Sequence, residues 1–299
     1  MKRTTLVLKG AGTAIVTPFT QNGEIDEPAL RRLVAWQIEQ GINYIVPCGS
    51  TGEAATMSAD EQRRVVEITV EVVAGRIPVL AGATSNDTAR AIVNSRMIRE
   101  AGATHLLHAS PAYNKPPQRG IAAHFRAIAD AIDMPIVVYN VPGRTGSNVA
   151  AETTLELAGH PNIVAVKEAS GNLGQITEII RNRPAGFNVL SGDDTLTLAV
   201  MALGGDGVTS VTSNVAPALV AQLCAAAQRG AFDEARAIDS RLAPLTHAAF
   251  VESNPIPIKA ALSMMGMIGN HLRLPLVPLA ANHHATVRAA LVATGALAE

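Results

Sequence analysis

The run Ile163-Val164-Ala165-Val166-Lys167-Glu168-Ala169-Ser170-Gly171-Asn172 decides how this chain is read. Four apolar residues in a row form a short buried strand, and the strand ends on a lysine. Strands of a parallel sheet are covered on both faces, so they read as continuous apolar runs rather than as alternation. A lysine at such a strand end holds its ammonium beside a dry core. Burial disfavours the charged form and lowers the pKa. A neutral amine at working pH attacks carbonyls and forms Schiff bases. The plainer reading is that Lys167 marks where the strand reaches water.

Working outward from that run, the chain alternates. Short apolar, β-branched runs stand at 13–17, 44–48, 79–83, 105–110, 136–140, 163–167, 188–191 and 207–211. Segments of helical period lie between them: 27–40, 88–101, 120–131, 151–158, 173–181, 195–203 and 217–228. The first begins with Asp26 as cap and Pro28 in its opening turn, a helix-start signature. A further helix follows Ser58-Ala59-Asp60-Glu61, a capping-box pattern. Eight strand–helix units spaced by roughly 25–30 residues predict a (β/α)8 TIM barrel. After Gly230 the strand signal stops, and 232–245, 257–267 and 283–296 read as helices. The expected organisation is α/β, with a catalytic barrel over 1–230 and a C-terminal helical domain over 231–299. A doubly wound open sheet is the alternative, but no Gly-rich dinucleotide turn is found.

Of the 299 residues, 48% are hydrophobic and 16% charged, with a net charge of −1. That composition supports a large core, and the sparse charge hints at surface buried between subunits. No block of like charge suggests a nucleic acid or an anionic membrane as partner. No apolar run is long and uncharged enough to span a bilayer. Cys48 and Cys224 sit in apolar contexts without metal-ligand spacing; they read as reduced core thiols of a cytoplasmic protein. The start Met1-Lys2-Arg3 is basic, but Lys9 interrupts the apolar stretch behind it, which argues against a secretory leader.

Barrel sites gather at the C-terminal strand ends. Read in order, those ends offer Gly49-Ser50-Thr51-Gly52-Glu53, Pro111-Ala112-Tyr113-Asn114, Tyr139-Asn140-Val141-Pro142-Gly143-Arg144, Lys167, Ser191-Gly192-Asp193-Asp194 and Ser210-Val211-Thr212-Ser213-Asn214. The glycine-flanked Ser50-Thr51 turn exposes amides suited to a small carboxylate, or is an ordinary strand–helix turn. Tyr139 offers a phenol that can move protons, or packs in the core. Arg144 offers a two-pronged grip on a carboxylate, or a surface ion pair. Asp193, Asp194 and Asp206, assigned to the loops after strands 7 and 8, would repel the phosphate many barrels bind there. His105 and His108 are three apart on a strand, so they face opposite sides and share no metal. His283-His284 reads as a solvated pair on a surface helix. Cys48 lacks an assigned base.

With these residues in hand, the chain resembles the dihydrodipicolinate synthase family, in the pyruvate-dependent class I aldolase superfamily that includes N-acetylneuraminate lyase. The resemblance runs from Ala14-Ile15-Val16-Thr17-Pro18-Phe19 to Thr286-Val287-Arg288-Ala289-Ala290-Leu291. Gly49–Glu53 and the lysine strand mark the superfamily. The arginine turn after Tyr139, Leu190–Asp194 and the run from Phe250 to Lys259 favour the synthases. The resemblance implies condensation of pyruvate with aspartate semialdehyde, in the diaminopimelate–lysine pathway. Lys167 would carry the imine, with no external cofactor and no metal. Ser50 and Thr51 would hold the pyruvate carboxylate, and Tyr139 would shuttle protons through Ser50 to Tyr113 of a neighbouring subunit. Arg144 would bind the second carboxylate, with Gly192 and Thr209 also lining the substrate site. A homotetramer built from dimers is implied.

Three departures stand out. Ser50 replaces a usual threonine, and Thr209 a usual aliphatic residue. The positions matching the family's lysine-feedback pocket are Ala59 or Gln62, Arg90 and Ala112, and an arginine there would repel a lysine ammonium. Lysine inhibition is therefore expected to be weak or absent. The competing functions are a pyruvate lyase of a sugar acid or other 2-oxo acid, and a pyruvate-binding regulator without turnover.

Overall fold

A computed structural model describes residues 7–298; the basic start Met1-Lys2-Arg3 lies outside them. Among the described residues eight strands form one parallel sheet: β1 (Gly10–Ala14), β2 (Tyr44–Val46), β3 (Leu80–Gly82), β4 (His105–Ala109), β5 (Ile136–Asn140), β6 (Ile163–Glu168), β7 (Asn188–Ser191) and β8 (Gly207–Ser210). They are ordered β2-β1-β8-β7-β6-β5-β4-β3. The ends of that order meet through a parallel bridge between Ile45 and Val79. The Ile45 amide donates to Pro78 (3.1 Å) and the Gly82 amide to Pro47 (3.0 Å), which closes the TIM barrel.

Helices follow the strands where their caps foretold. Asp26 accepts from the Ala29 amide, and Ser58 and Glu61 form a reciprocal capping box. The helical stretch expected over 195–203 divides into a 3-10 turn, Asp194–Leu196, and a helix, Thr197–Ala202. Phe232–Ala248, Ile256–Met264 and His284–Thr294 form the C-terminal helical layer. No described helix is long and apolar enough to cross a membrane.

Strand period sorts the core into two layers. Ala165 joins Val137, Tyr139 and Leu190 in the barrel interior. Val166, Val138 and Val189 face outward into a larger cluster beneath the helices, continuous with Leu242, Leu245, Leu262 and Leu291 of the C-terminal layer. β1 begins three residues earlier than expected, on Gly10-Ala11-Gly12. A side chain at Gly12 would lie 2.0 Å from the Tyr44 ring. The glycine admits Tyr44 into the barrel, where its hydroxyl meets the Val208 carbonyl and Thr209 Oγ1, each at 2.9 Å. The barrel floor is thus a packed layer.

His108 turns outward to Ser95 (3.1 Å), and burial pushes its pKa down to about 3. His105 lies 2.9 Å from Thr104 Oγ1 instead, so the two rings go separate ways. His284 meets the Leu279 carbonyl at 3.1 Å.

Candidate active site

The C-terminal ends of the strands frame a cavity of about 600 Å³. Lys167 enters it from β6. The parallel register pairs Lys167 with Tyr139 on one side and Leu190 on the other. Lys167 is only 6% exposed. Burial pushes its pKa down to about 7; attraction to Asp194 opposes the shift and repulsion from Arg144 adds to it. The neutral, nucleophilic form of the amine is therefore far more accessible at neutral pH than in a free lysine. Its Nζ sits 4.1 Å from the centre of the Tyr139 ring, close enough for the ring face to stabilise positive charge on that nitrogen.

Gly192 is a steric requirement of this arrangement. A Cβ there would lie 3.0 Å from Lys167 Cε, 3.1 Å from its Cγ and 2.8 Å from Ala169 Cβ. Tyr139 is nearly buried, and burial pushes its hydroxyl up to about 12, with Arg144 opposing and Asp193 reinforcing the shift. The phenol is protonated at neutral pH and can give up a proton only to a strong local base.

The Gly49–Glu53 turn forms one wall. The amides of Gly52, Glu53 and Ala54 fold back onto the carbonyls of Gly49 and Ser50. Those of Ser50 and Thr51 donate to nothing among the described residues, which leaves two N–H groups for an anion. Close packing enforces the turn: a side chain at Gly82 would come within 2.0 Å of the Cys48 carbonyl oxygen. Cys48 and Glu53 adopt left-handed φ values of 57° and 55°. Burial pushes the Cys48 thiol up to about 12, so it is inert.

Arg144 belongs to the helical turn Pro142–Thr145 that follows β5, and its Nη2 donates to the Asn254 carbonyl at 3.2 Å. Ser50, Thr51, Tyr139, Arg144, Lys167 and Gly192 thus line one cavity. Two expected site residues lie elsewhere. Thr209 sits on the barrel floor with its hydroxyl against Tyr44, outside the cavity lining. Tyr113 is 93% exposed, at φ 70°, and is not part of its own chain's cavity lining. No hydrogen bond joins Ser50 to either tyrosine among the described residues.

Asp206 also differs from its expected place. It precedes β8, so it lies at the opposite rim, where it pairs with Arg183. Asp194 is buried and accepts from the Ser210 hydroxyl and the Val211 amide. Burial raises its pKa, against those hydrogen bonds. Only Asp193 of the three carboxylates lines the cavity.

The C-terminal layer closes the remaining side with His247, Phe250 and Asn254. The segment carrying them is remote in sequence from the barrel loops, so the strand ends give no sign of them. Among the described residues no group of three or more His, Cys, Asp or Glu side chains gathers at metal-binding distance.

The dihydrodipicolinate synthetase family profile matches residues 7–294. The chain belongs to this family. It is 52% identical over 289 residues to the 4-hydroxy-tetrahydrodipicolinate synthase of Nitratidesulfovibrio vulgaris (strain DP4), covering 96% of this chain and 99% of that one. It is 49% identical over 291 residues to the enzyme of the same name from Maridesulfovibrio salexigens, covering 97% and 99%. The structure of the chloride-inhibited dihydrodipicolinate synthase of Acinetobacter baumannii, complexed with pyruvate, superposes with a TM-score of 0.96 at 41% identity, covering 97% of this chain and all of that one (100%).

Proposed function

We propose that this chain is a 4-hydroxy-tetrahydrodipicolinate synthase, a lyase of lysine and diaminopimelate biosynthesis that joins pyruvate to L-aspartate 4-semialdehyde. The observation that carries this reading is the amine of Lys167, buried 4.1 Å from the Tyr139 ring centre in a cavity that Ser50, Thr51 and Arg144 also line. Lys167 Nζ attacks the pyruvate ketone carbon and water leaves, giving an imine. The imine nitrogen takes up the electron pair when a methyl proton departs, so no external cofactor is required. The enamine carbon then attacks the aldehyde of the second substrate. That substrate's own amine finally attacks the imine carbon, closes the ring and frees Lys167.

In this scheme the free Ser50 and Thr51 amides and the Thr51 hydroxyl hold the pyruvate carboxylate. Tyr139 donates and recovers protons at the aldehyde oxygen and the imine. Arg144 holds the second carboxylate. Tyr113 completes the relay from a second copy of the chain in a homotetramer built from dimers, and its exposed phenol, free for a second copy to cover, supports that it is shared across an interface.

The test is a coupled assay: pyruvate and aspartate semialdehyde, with the next reductase reporting product through its nicotinamide. Wild type turns over. Arg144→Ala is expected to lose about a hundredfold or more in kcat/KM for the semialdehyde, the scale of removing one partner of a desolvated charge pair. It should still form the pyruvate imine, trapped by borohydride and seen by mass spectrometry. Imine without product in wild type would favour a regulator, and turnover of a sugar acid instead would favour a lyase.

We further propose that lysine does not inhibit the enzyme. Arg90 and Ala59 are exposed, with Ala112 half-buried, and the Arg90 guanidinium would repel a lysine ammonium there. Turnover is expected to be flat against added lysine. Inhibition at sub-millimolar lysine would contradict this.

A further inference from the structure

Asn254 lies in the turn between helices Phe232–Ala248 and Ile256–Met264, 203 residues from Thr51 and 110 from Arg144 along the chain. It makes two contacts, one to each half of the cavity. Its side-chain Nδ2 donates to Thr51 Oγ1 at 2.9 Å. Its main-chain carbonyl accepts from Arg144 Nη2 at 3.2 Å. The residue is 6% exposed and lines the cavity. Its Oδ1 is buried with no hydrogen-bond partner among the described residues.

A hydroxyl has one proton and two lone pairs. Nδ2 occupies a lone pair of Thr51, so the Thr51 proton must go to another acceptor, and the open side of Thr51 is the cavity. An amide serving stability alone would satisfy its oxygen as well, because an unpaired buried acceptor opposes folding. This one leaves Oδ1 unpaired while holding Thr51 in the donor role.

We propose that Asn254 is a positioning residue for both substrates. Its side chain sets the Thr51 hydroxyl as a donor to the pyruvate carboxylate, and its backbone carbonyl sets the Arg144 guanidinium for the second carboxylate. The inference rests on the imine chemistry proposed above. The two contacts come from different parts of the residue, so they separate in experiment.

Asn254→Asp keeps the shape and reverses the polarity. The carboxylate accepts the Thr51 proton and turns that donor away from pyruvate. KM for pyruvate is expected to rise about ten- to a hundredfold, the scale of a hydrogen bond to a charged group. KM for the semialdehyde should stay within about twofold, because the carbonyl that holds Arg144 remains. Asn254→Ala should raise the pyruvate KM less than Asn254→Asp. On a Thr51→Val background, Asn254→Ala should add no more than about twofold, since both changes remove one interaction. Borohydride trapping against pyruvate concentration gives the same reading without turnover, on protein shown folded by circular dichroism. An unchanged pyruvate dependence in Asn254→Asp, both KM values rising together, or additive effects on the Thr51→Val background would overturn the inference while wild type still traps pyruvate. No trapping in wild type would remove the imine chemistry itself, and this role with it.

Discussion

Lys167→Met is expected to lose all imine formation and at least about 10⁴-fold in kcat, and to melt at a higher temperature than wild type. The two halves share one cause. The amine titrates near 7 in the folded chain, against about 10.4 in an unfolded one. Below pH 7 the amine is protonated in both states, so folding buries a charge at a cost of about 3–5 kcal/mol. Between about 7 and 10.4 the unfolded chain binds more protons than the folded one, so wild-type stability rises with pH. Above that window the amine is neutral in both states and the penalty is gone. Methionine carries no such penalty at any pH. Its advantage should be largest below pH 7 and should shrink through the window. Melting curves at fixed protein concentration from pH 6 to pH 10 read this directly. Parallel curves for the two proteins would mean that Lys167 is charged in the folded state at neutral pH, and the nucleophile would have to be sought elsewhere.

Lys167 was legible in the sequence because a charge in an apolar run is a local anomaly. The same holds for the strands: 136–140 and 188–191 match β5 and β7 in full, since their burial is written in consecutive residues. β1 begins before its apolar run because Gly10 and Gly12, strand breakers by local preference, open it. Gly12 makes room for the Tyr44 ring arriving from β2 and Gly10 for the Asn43 side chain, tertiary facts with no local mark. Thr209 shows the same limit, because its hydroxyl faces that same Tyr44 and not the cavity. Asp206 was placed on the wrong rim because its position depends on whether β8 begins before or after it. Phe250 and Asn254 are marked only by the family likeness of the run Phe250 to Lys259, and His247 by nothing, for a different reason. Their role depends on where a C-terminal helix docks, which no spacing within the barrel encodes.

The largest expected effect on stability lies where that C-terminal layer is fastened to the site. Lys259 Nζ donates to Glu53 Oε1 at 2.6 Å and to the Thr17 carbonyl at 2.9 Å, and both side chains of the ion pair are fully buried. The Arg273 amide donates to Glu53 Oε2 at 3.2 Å, and Lys259 and Arg273 both lie over the Phe19 ring. Burial lowers the Lys259 pKa, and Glu53 works against that shift. Lys259→Met leaves the Glu53 carboxylate buried without its cation, an expected loss of about 3–5 kcal/mol, or a melting temperature lower by about 10 °C. Adding Glu53→Gln removes the stranded charge while keeping an oxygen for the Arg273 amide, and most of the loss should return, because a buried pair contributes little net stability over neutral groups. The pyruvate site should not recover with it. Glu53 ends the turn that presents Ser50 and Thr51, and the ion pair to Lys259 is the charged one of the two contacts, with the Arg273 amide, that tie its carboxylate to the C-terminal layer. The double variant is therefore expected to melt near wild type yet trap pyruvate only at higher concentration. If it regains stability and pyruvate affinity together, the pair serves the fold alone. If it regains neither, the loss comes from the missing Lys259 contacts to Thr17 and Phe19 and not from the unpaired carboxylate.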